Sequence, residues 1–254
     1  MRHFRIIYLI PAVCFALFAQ TQAQNTEKAP LLNIEFQVYI WPNEGRPPMN
    51  GENVAAINEG DLLPEYVGQK IGLLDGNTVS LLSADRGRLS SAVKYTGAGP
   101  IRFVDYDSPT LSNQPRPIIA EVHPPVSMTK GLFIFFPTSQ GTTKYQLLAI
   151  DTSQEALSTG NSFFYNITPS KIAIKVGDRQ MQMKPMEHES VELDNLRDSK
   201  LPIQIAVESG QSGDWTLRYS TRKVILPDSR LIFLIYNPKG KKSFYRILTL
   251  NADK

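Results

Sequence analysis

Four places in this 254-residue chain carry residue types that could do chemistry. Glu187-His188-Glu189 puts three metal-ligand types in a row, but adjacent side chains on extended backbone point to opposite faces and cannot share one ion. His123 precedes Pro124-Pro125 in a loop, with no partner evident nearby in sequence. Asp105 and Asp107 stand two apart, on one face if a strand continues through them, in the manner of an acid–base pair. Glycosidase carboxylates usually face each other across a cleft from different strands, so solvated acids at a strand end are the simpler reading. Gly210-Gln211-Ser212-Gly213 lacks the spacing of a hydrolase nucleophile elbow and reads as a tight turn before Trp215. The sequence therefore predicts no catalytic residue, no metal site and no cofactor.

Binding residues are the other class. Trp41, beside a long loop, has a ring suited to stacking on a sugar. Lys239, Lys241 and Lys242 surround a turn and could meet an acidic polymer; equally, they are the charges that keep an apolar hairpin from pairing at its edge. Asn166-Ile167-Thr168 has the form of an N-glycosylation acceptor, which Pro169 weakens and a bacterial envelope would not use.

The elements that must hold these residues begin after a targeting segment. Arg2 and Arg5 open the chain, an apolar stretch runs from Ile6 to Ala19, and Thr21-Gln22-Ala23 supplies small residues at a cut site. That is the form of a secretory signal peptide over residues 1–23. The stretch is short for a membrane-spanning helix, and Pro11 interrupts it. Cys14 lies inside the apolar run, where a lipoprotein site would need a polar residue after it. Cleavage leaves no transmembrane segment and no cysteine, since Cys14 is the only one. It also takes Arg2 and Arg5 from 27 basic residues against 24 acidic ones, leaving 25 against 24. A near-neutral mature chain makes no electrostatic case for nucleic acid. Without disulfides, packed cores must stabilise it, and two domains of about 110 residues are large enough for that.

Alternation in Leu32–Trp41 and in many later short runs, separated by turn residues, predicts an all-β protein. The last hairpin is written twice: Leu132-Phe-Ile-Phe-Phe136 and Tyr145–Ile150 precede Leu231–Tyr236 and Phe244–Leu250 by about a hundred residues. Leu132 aligns with Leu231 and, after a one-residue slip, Tyr145 with Tyr245. Upstream, Lys70–Leu74 and Gly76 match Lys171–Lys175 and Gly177, Val79–Leu81 matches Met181–Met183, and Pro100–Val104 matches Pro202–Ala206. Repetition at this period predicts two copies of a domain-sized unit. We expect two tandem immunoglobulin-like β-sandwiches related by internal duplication. They span residues 30–150, with a long loop at 42–65, and residues 162–254. Residues 151–161 form the linker, where Thr152 and Glu155 could make a capping box.

One resemblance lies in the second unit. Asn166-Ile-Thr168, Gly177, Pro185, Trp215-Thr-Leu-Arg-Tyr-Ser-Thr-Arg222 and Pro227-Asp-Ser-Arg230 form an ordered series that resembles uncharacterised exported proteins of verrucomicrobial-type bacteria. The resemblance covers roughly residues 160–250 and implies export and a β-sandwich, with no activity attached. The two-sandwich layout is also similar to that of periplasmic adaptor subunits of alginate O-acetylation machinery, a likeness of plan alone. The expectation is an exported, periplasmic or extracellular, non-enzymatic envelope protein with a binding, adaptor or structural role. Its partners would be an envelope protein or a polysaccharide. The alternative is a secreted hydrolase of cell-wall or polysaccharide substrates using Asp105, Asp107 or Glu187.

Overall fold

The computed structural model describes residues 31–42, 70–108, 116–138, 144–193, 200–209, 213–225, 229–238 and 245–252. The signal peptide, most of the 42–65 loop, Ser212, Lys239, Lys241 and Lys242 lie outside the described residues. Every described element is a strand, and none is a helix long and apolar enough to cross a membrane.

The first unit contains β1 (Leu31–Ile40), β2 (Ile71–Asp75), β3 (Thr78–Leu82), β4 (Val93–Ala98), β5 (Ile101–Asp105), β6 (Ile118–Val122), β7 (Lys130–Pro137) and β8 (Tyr145–Asp151). The second contains β9 (Asn161–Asn166), β10 (Ile172–Val176), β11 (Arg179–Met183), β12 (His188–Glu192), β13 (Lys200–Ser209), β14 (Asp214–Val224), β15 (Leu231–Tyr236) and β16 (Arg246–Asn251). They form four four-stranded sheets, ordered β4-β1-β7-β8 and β3-β2-β5-β6 in the first unit, β12-β9-β15-β16 and β11-β10-β13-β14 in the second. In each unit the two sheets face each other over one apolar core, which makes a β-sandwich. The immunoglobulin order places the first strand at a sheet edge beside the second. Here β1 lies inside its sheet, antiparallel to β4 and parallel to β7, and β9 repeats the arrangement with β12 and β15.

The two units match pairing for pairing. Leu132 stands opposite Ile150 and Ile232 opposite Leu250, one hundred residues on in both strands. The sequence alignment of Leu132 with Leu231 is therefore off by one. Leu132 pairs with the wrong face of the second unit under that register, because a one-residue slip exchanges the faces of a strand. In the corrected register Tyr145 meets Tyr245 without any slip. The β2–β3 and β10–β11 hairpins turn through Gly76-Asn77 and Gly177-Asp178, with φ of 55° and 58° at the glycines. A first central glycine at positive φ is the type II′ signature, whose twist suits a two-residue hairpin. This register equates Leu82 with Met183, both buried, so the match of Val79–Leu81 to Met181–Met183 is also one residue out. Pairing shifts between Phe103 and Val104 in one unit, and between Ile205 and Ala206 in the other, so even a β-bulge recurs.

A third apolar cluster joins the units. Tyr39, Trp41, Leu132, Ile134, Phe136 and Ile150 from the first meet Phe163, Tyr165, Ile167, Ile232, Leu234 and Leu250 from the second, with Leu157 of the connector between. The Trp41 and Tyr236 rings cross the joint at 5.0 Å, edge to face. The sheets carrying β7 and β15 are thus buried on both faces, which is why both strands read as unbroken apolar runs. We call them the inner sheets, and the β2- and β10-containing sheets the outer ones.

The connector from Thr152 to Gly160 is tied at both ends. Thr152 N donates to Lys130 O at 3.0 Å. The buried Arg230 guanidinium donates through Nη1 to the Thr152 and Leu157 carbonyls at 2.9 and 3.4 Å. Its single turn closes from Leu157 N to Ser153 O, and the cap is Asp151, whose carboxylate accepts from Ser153 N at 2.9 Å. The capping role expected of Thr152 falls one residue earlier.

Candidate functional site

Most of the residues that sequence reasoning put forward serve the fold. Trp41 is 2% exposed, packed against Phe136 and Tyr236 at the joint between units. It closes a core and presents no ring to a ligand. Asp105 and Asp107 are divided between two lysines: Lys144 Nζ lies 2.9 Å from Asp105, and Lys70 Nζ 3.3 Å from Asp107. His123 does have a partner, Glu121 Oε1 at 3.0 Å, two residues back. Arg102, bonding the same carboxylate at 2.7 Å, is the main reason that Glu121 titrates lower than usual. The signal for this pair was available: positions two apart in a strand share a face.

The Glu187-His188-Glu189 triplet disperses. Glu187 accepts from the Lys184 backbone N–H at 2.8 Å, which holds its carboxyl below the usual range. His188 stacks on the Tyr165 ring at 4.7 Å, across the strand pair. Burial pushes the Tyr165 phenol well above its usual range, and the Asp151 charge adds to this. Among the described residues, no three His, Cys, Asp or Glu side chains form a group able to hold a metal ion.

Asn166, the glycosylation-like asparagine, is fully buried and is a clamp. Its Nδ2 donates to the carbonyls of Ser170, Met183 and Lys184 at 2.8, 3.2 and 2.9 Å. Its Oδ1 accepts from Thr168 N and Oγ1 at 3.1 and 2.7 Å. One side chain thereby fixes the end of β9, the following turn and the end of β11.

A polar cleft of about 250 Å³ opens at the joint, lined by Glu35, Gln37, Lys130, Thr152 and Arg230 among others. Its amide and guanidinium groups are committed, Gln37 to Ser90 O at 3.1 Å and Arg230 to the connector, so we assign this cleft to the joint.

The outward face of the second outer sheet departs from simple alternation. Ile172, Ile174, Ile203 and Ile205 point into the core, so the residues between them alternate to the other face, where Lys175 and Gln204 are exposed, Ala206 is half-buried and Ala173 is covered. On β14 alternation predicts Trp215, Leu217 and Tyr219 on one face. The bulge breaks this: Ala206 pairs with Leu217, Ile205 with Tyr219, and Arg218 between them has no opposite. Tyr219 therefore packs against the core while Leu217, 57% exposed, and the half-buried Trp215 turn outward. Trp215 stands opposite Glu208, and Lys171 completes the row, with its ammonium 5.4 Å from the indole ring centre and 3.5 Å from the Glu208 carboxylate. Sequence spacing points to Trp41 rather than to this half-buried aromatic, because no sequence signal marks an unpaired bulge residue.

No protein-family model matches the chain, and a search of curated proteins likewise finds no match.

Proposed function

We propose that this is an exported, non-enzymatic protein of a bacterial envelope, with a binding or adaptor role, and that it arose by duplication of one eight-stranded sandwich. Export rests on Arg2, Arg5, the Ile6–Ala19 stretch and the Thr21–Ala23 site. Duplication is supported by the shared strand order, the paired type II′ glycines and the recurring bulge. The observation that carries the binding role is the back-to-back apolar joint. It spends the largest apolar faces of both sandwiches on each other and turns the remaining sheet faces to solvent as a fixed scaffold, the usual setting for recognition.

A hydrolase would use Asp105, Asp107 or Glu187, each of which is paired with a lysine here. The test is affinity recovery from native envelope extract with tagged residues 24–254, analysed for both protein and carbohydrate. Specific enrichment of one partner protein or one polymer is the expected result. Empty recovery with folded bait, together with turnover on a polysaccharide panel, would replace the binding role by catalysis.

A further inference from the structure

The two outer sheets match strand for strand, and what differs is the charge on their outward faces. Leu74, opposite Arg102 in the first unit, answers to Lys175, opposite Gln204 in the second. The extra residue of the β6 bulge is Ile119, 1% exposed, whereas that of the β14 bulge is Arg218, which is exposed. At the same distance beyond the bulge, His123 answers to Arg222. In the first unit the charges of this face are matched: Lys70 lies 3.3 Å from Asp107 and Arg102 2.7 Å from Glu121, which also holds His123. In the second, Lys171 has Glu208 at 3.5 Å. Among the described residues, Lys175, Lys200, Arg218 and Arg222 have no acidic partner, and all are exposed. Asp178 and Asp214 stand at the hairpin ends of this sheet. Two large apolar side chains are exposed among the cations. Leu217, 57% exposed, adjoins Arg218, and Val224, 70% exposed, follows Arg222 in the same outward row. Ala173 is covered and Ala206 half-buried, so the middle of the face is filled and offers no groove.

We propose that this face docks on a bilayer surface carrying anionic phospholipid headgroups. Each Lys or Arg held near such a surface is attracted to it, and the attraction fades within a Debye length. Lys175, Lys200, Arg218 and Arg222 supply that attraction on one face, with Lys171 and Glu208 cancelling each other. The matched ion pairs of the first outer sheet do not. Leu217 and Val224 select lipid over an acidic polysaccharide. A bilayer gives an exposed apolar side chain an acyl boundary to enter, while the arginine stems beside it keep their guanidinium groups among the headgroups. A hydrated acidic polymer offers charge but no such boundary. This inference rests on the envelope binding role proposed above and names its partner.

The experiment is sedimentation of residues 24–254 with vesicles, either phosphatidylcholine alone or phosphatidylcholine and phosphatidylglycerol in equal parts. The chain should bind the anionic vesicles alone, and less tightly as salt rises. Arg218→Glu and Arg222→Glu should each lower vesicle affinity about tenfold or more. Leu217→Ser should lower it at every salt concentration. All three positions are exposed, so melting should be unchanged. Lys94→Glu makes the same charge change at an exposed β4 position of the first unit and should leave binding at the unaltered level. No vesicle binding, equal binding to both vesicles, or equal losses in Lys94→Glu and Arg222→Glu would overturn the proposal. Retention of soluble alginate that depends on Arg218 and Arg222 but not on Leu217, with no vesicle binding, would replace the lipid by an acidic polymer. If vesicles stay unbound while the envelope recovery yields a protein or polymer, the binding role stands and the lipid assignment falls.

Discussion

At the scale of single residues, polar side chains in this protein organise loops and joints. Asn166 saturates its amide inside the second sandwich, so Asn166→Ala leaves three carbonyls and the Thr168 hydroxyl to find other partners. Stranding buried polar groups costs about 1–3 kcal/mol each, partly recovered by water. We expect a loss of about 2–4 kcal/mol, read as a lowered midpoint in urea unfolding. Tyr165 provides a pH test. Its phenol keeps its proton in the folded protein at pH values where an unfolded tyrosine, with a pKa of about 10, releases it. The native state then binds more protons than the unfolded one, so the stability is fully present below about pH 10 and is lost as pH rises beyond it. Urea midpoints should fall above that pH, and less steeply in Tyr165→Phe. A fall of equal slope in both proteins would assign the alkaline loss to other groups. Residue roles were the least legible part of the sequence. Trp41 and Trp215 look alike there, and only a joint between units and a one-residue bulge separate a core ring from a half-buried one.

Elements were far more legible, because strand alternation and turn chemistry are local. Among the described residues the alternating apolar runs form strands, and Gly76 and Gly177, matched positions of the two units in sequence, both sit in two-residue hairpin turns. Both glycines have left-handed φ, and a Cβ at Gly76 would meet no atom within 4 Å, so its substitution isolates backbone strain. Gly76→Ala should cost about 1–2 kcal/mol in thermal or chemical unfolding. A smaller loss would mean that the turn relaxes to another type. Register was legible only to within one residue. Strands β7 and β15 are apolar on both faces, so no period of two marks which side chains face the sandwich core and which face the other unit. The bulge at Arg218 defeated the reading of β14 for a similar reason, since alternation carries no record of an extra residue.

For the whole molecule, an all-β chain of sandwich-like sheets was readable, whereas the joint was not, because sequence periodicity cannot tell a sheet covered once from a sheet covered twice. The joint changes what the protein is: two sandwiches in tandem become four stacked sheets, with the outer sheet of the second held against the first unit through the joint. Burying an aliphatic or aromatic side chain contributes about 1.5–3 kcal/mol, and the joint buries more than ten of them. Neither inner sheet could expose that face and remain soluble. Folding of one unit is therefore coupled to folding of the other. Differential scanning calorimetry of residues 24–254 tests this most directly. The account predicts one transition whose calorimetric and van't Hoff enthalpies agree, replaced in Leu234→Asp by unfolding at lower temperature. Two separable transitions in the unaltered chain, each with the enthalpy of a single sandwich, would contradict it.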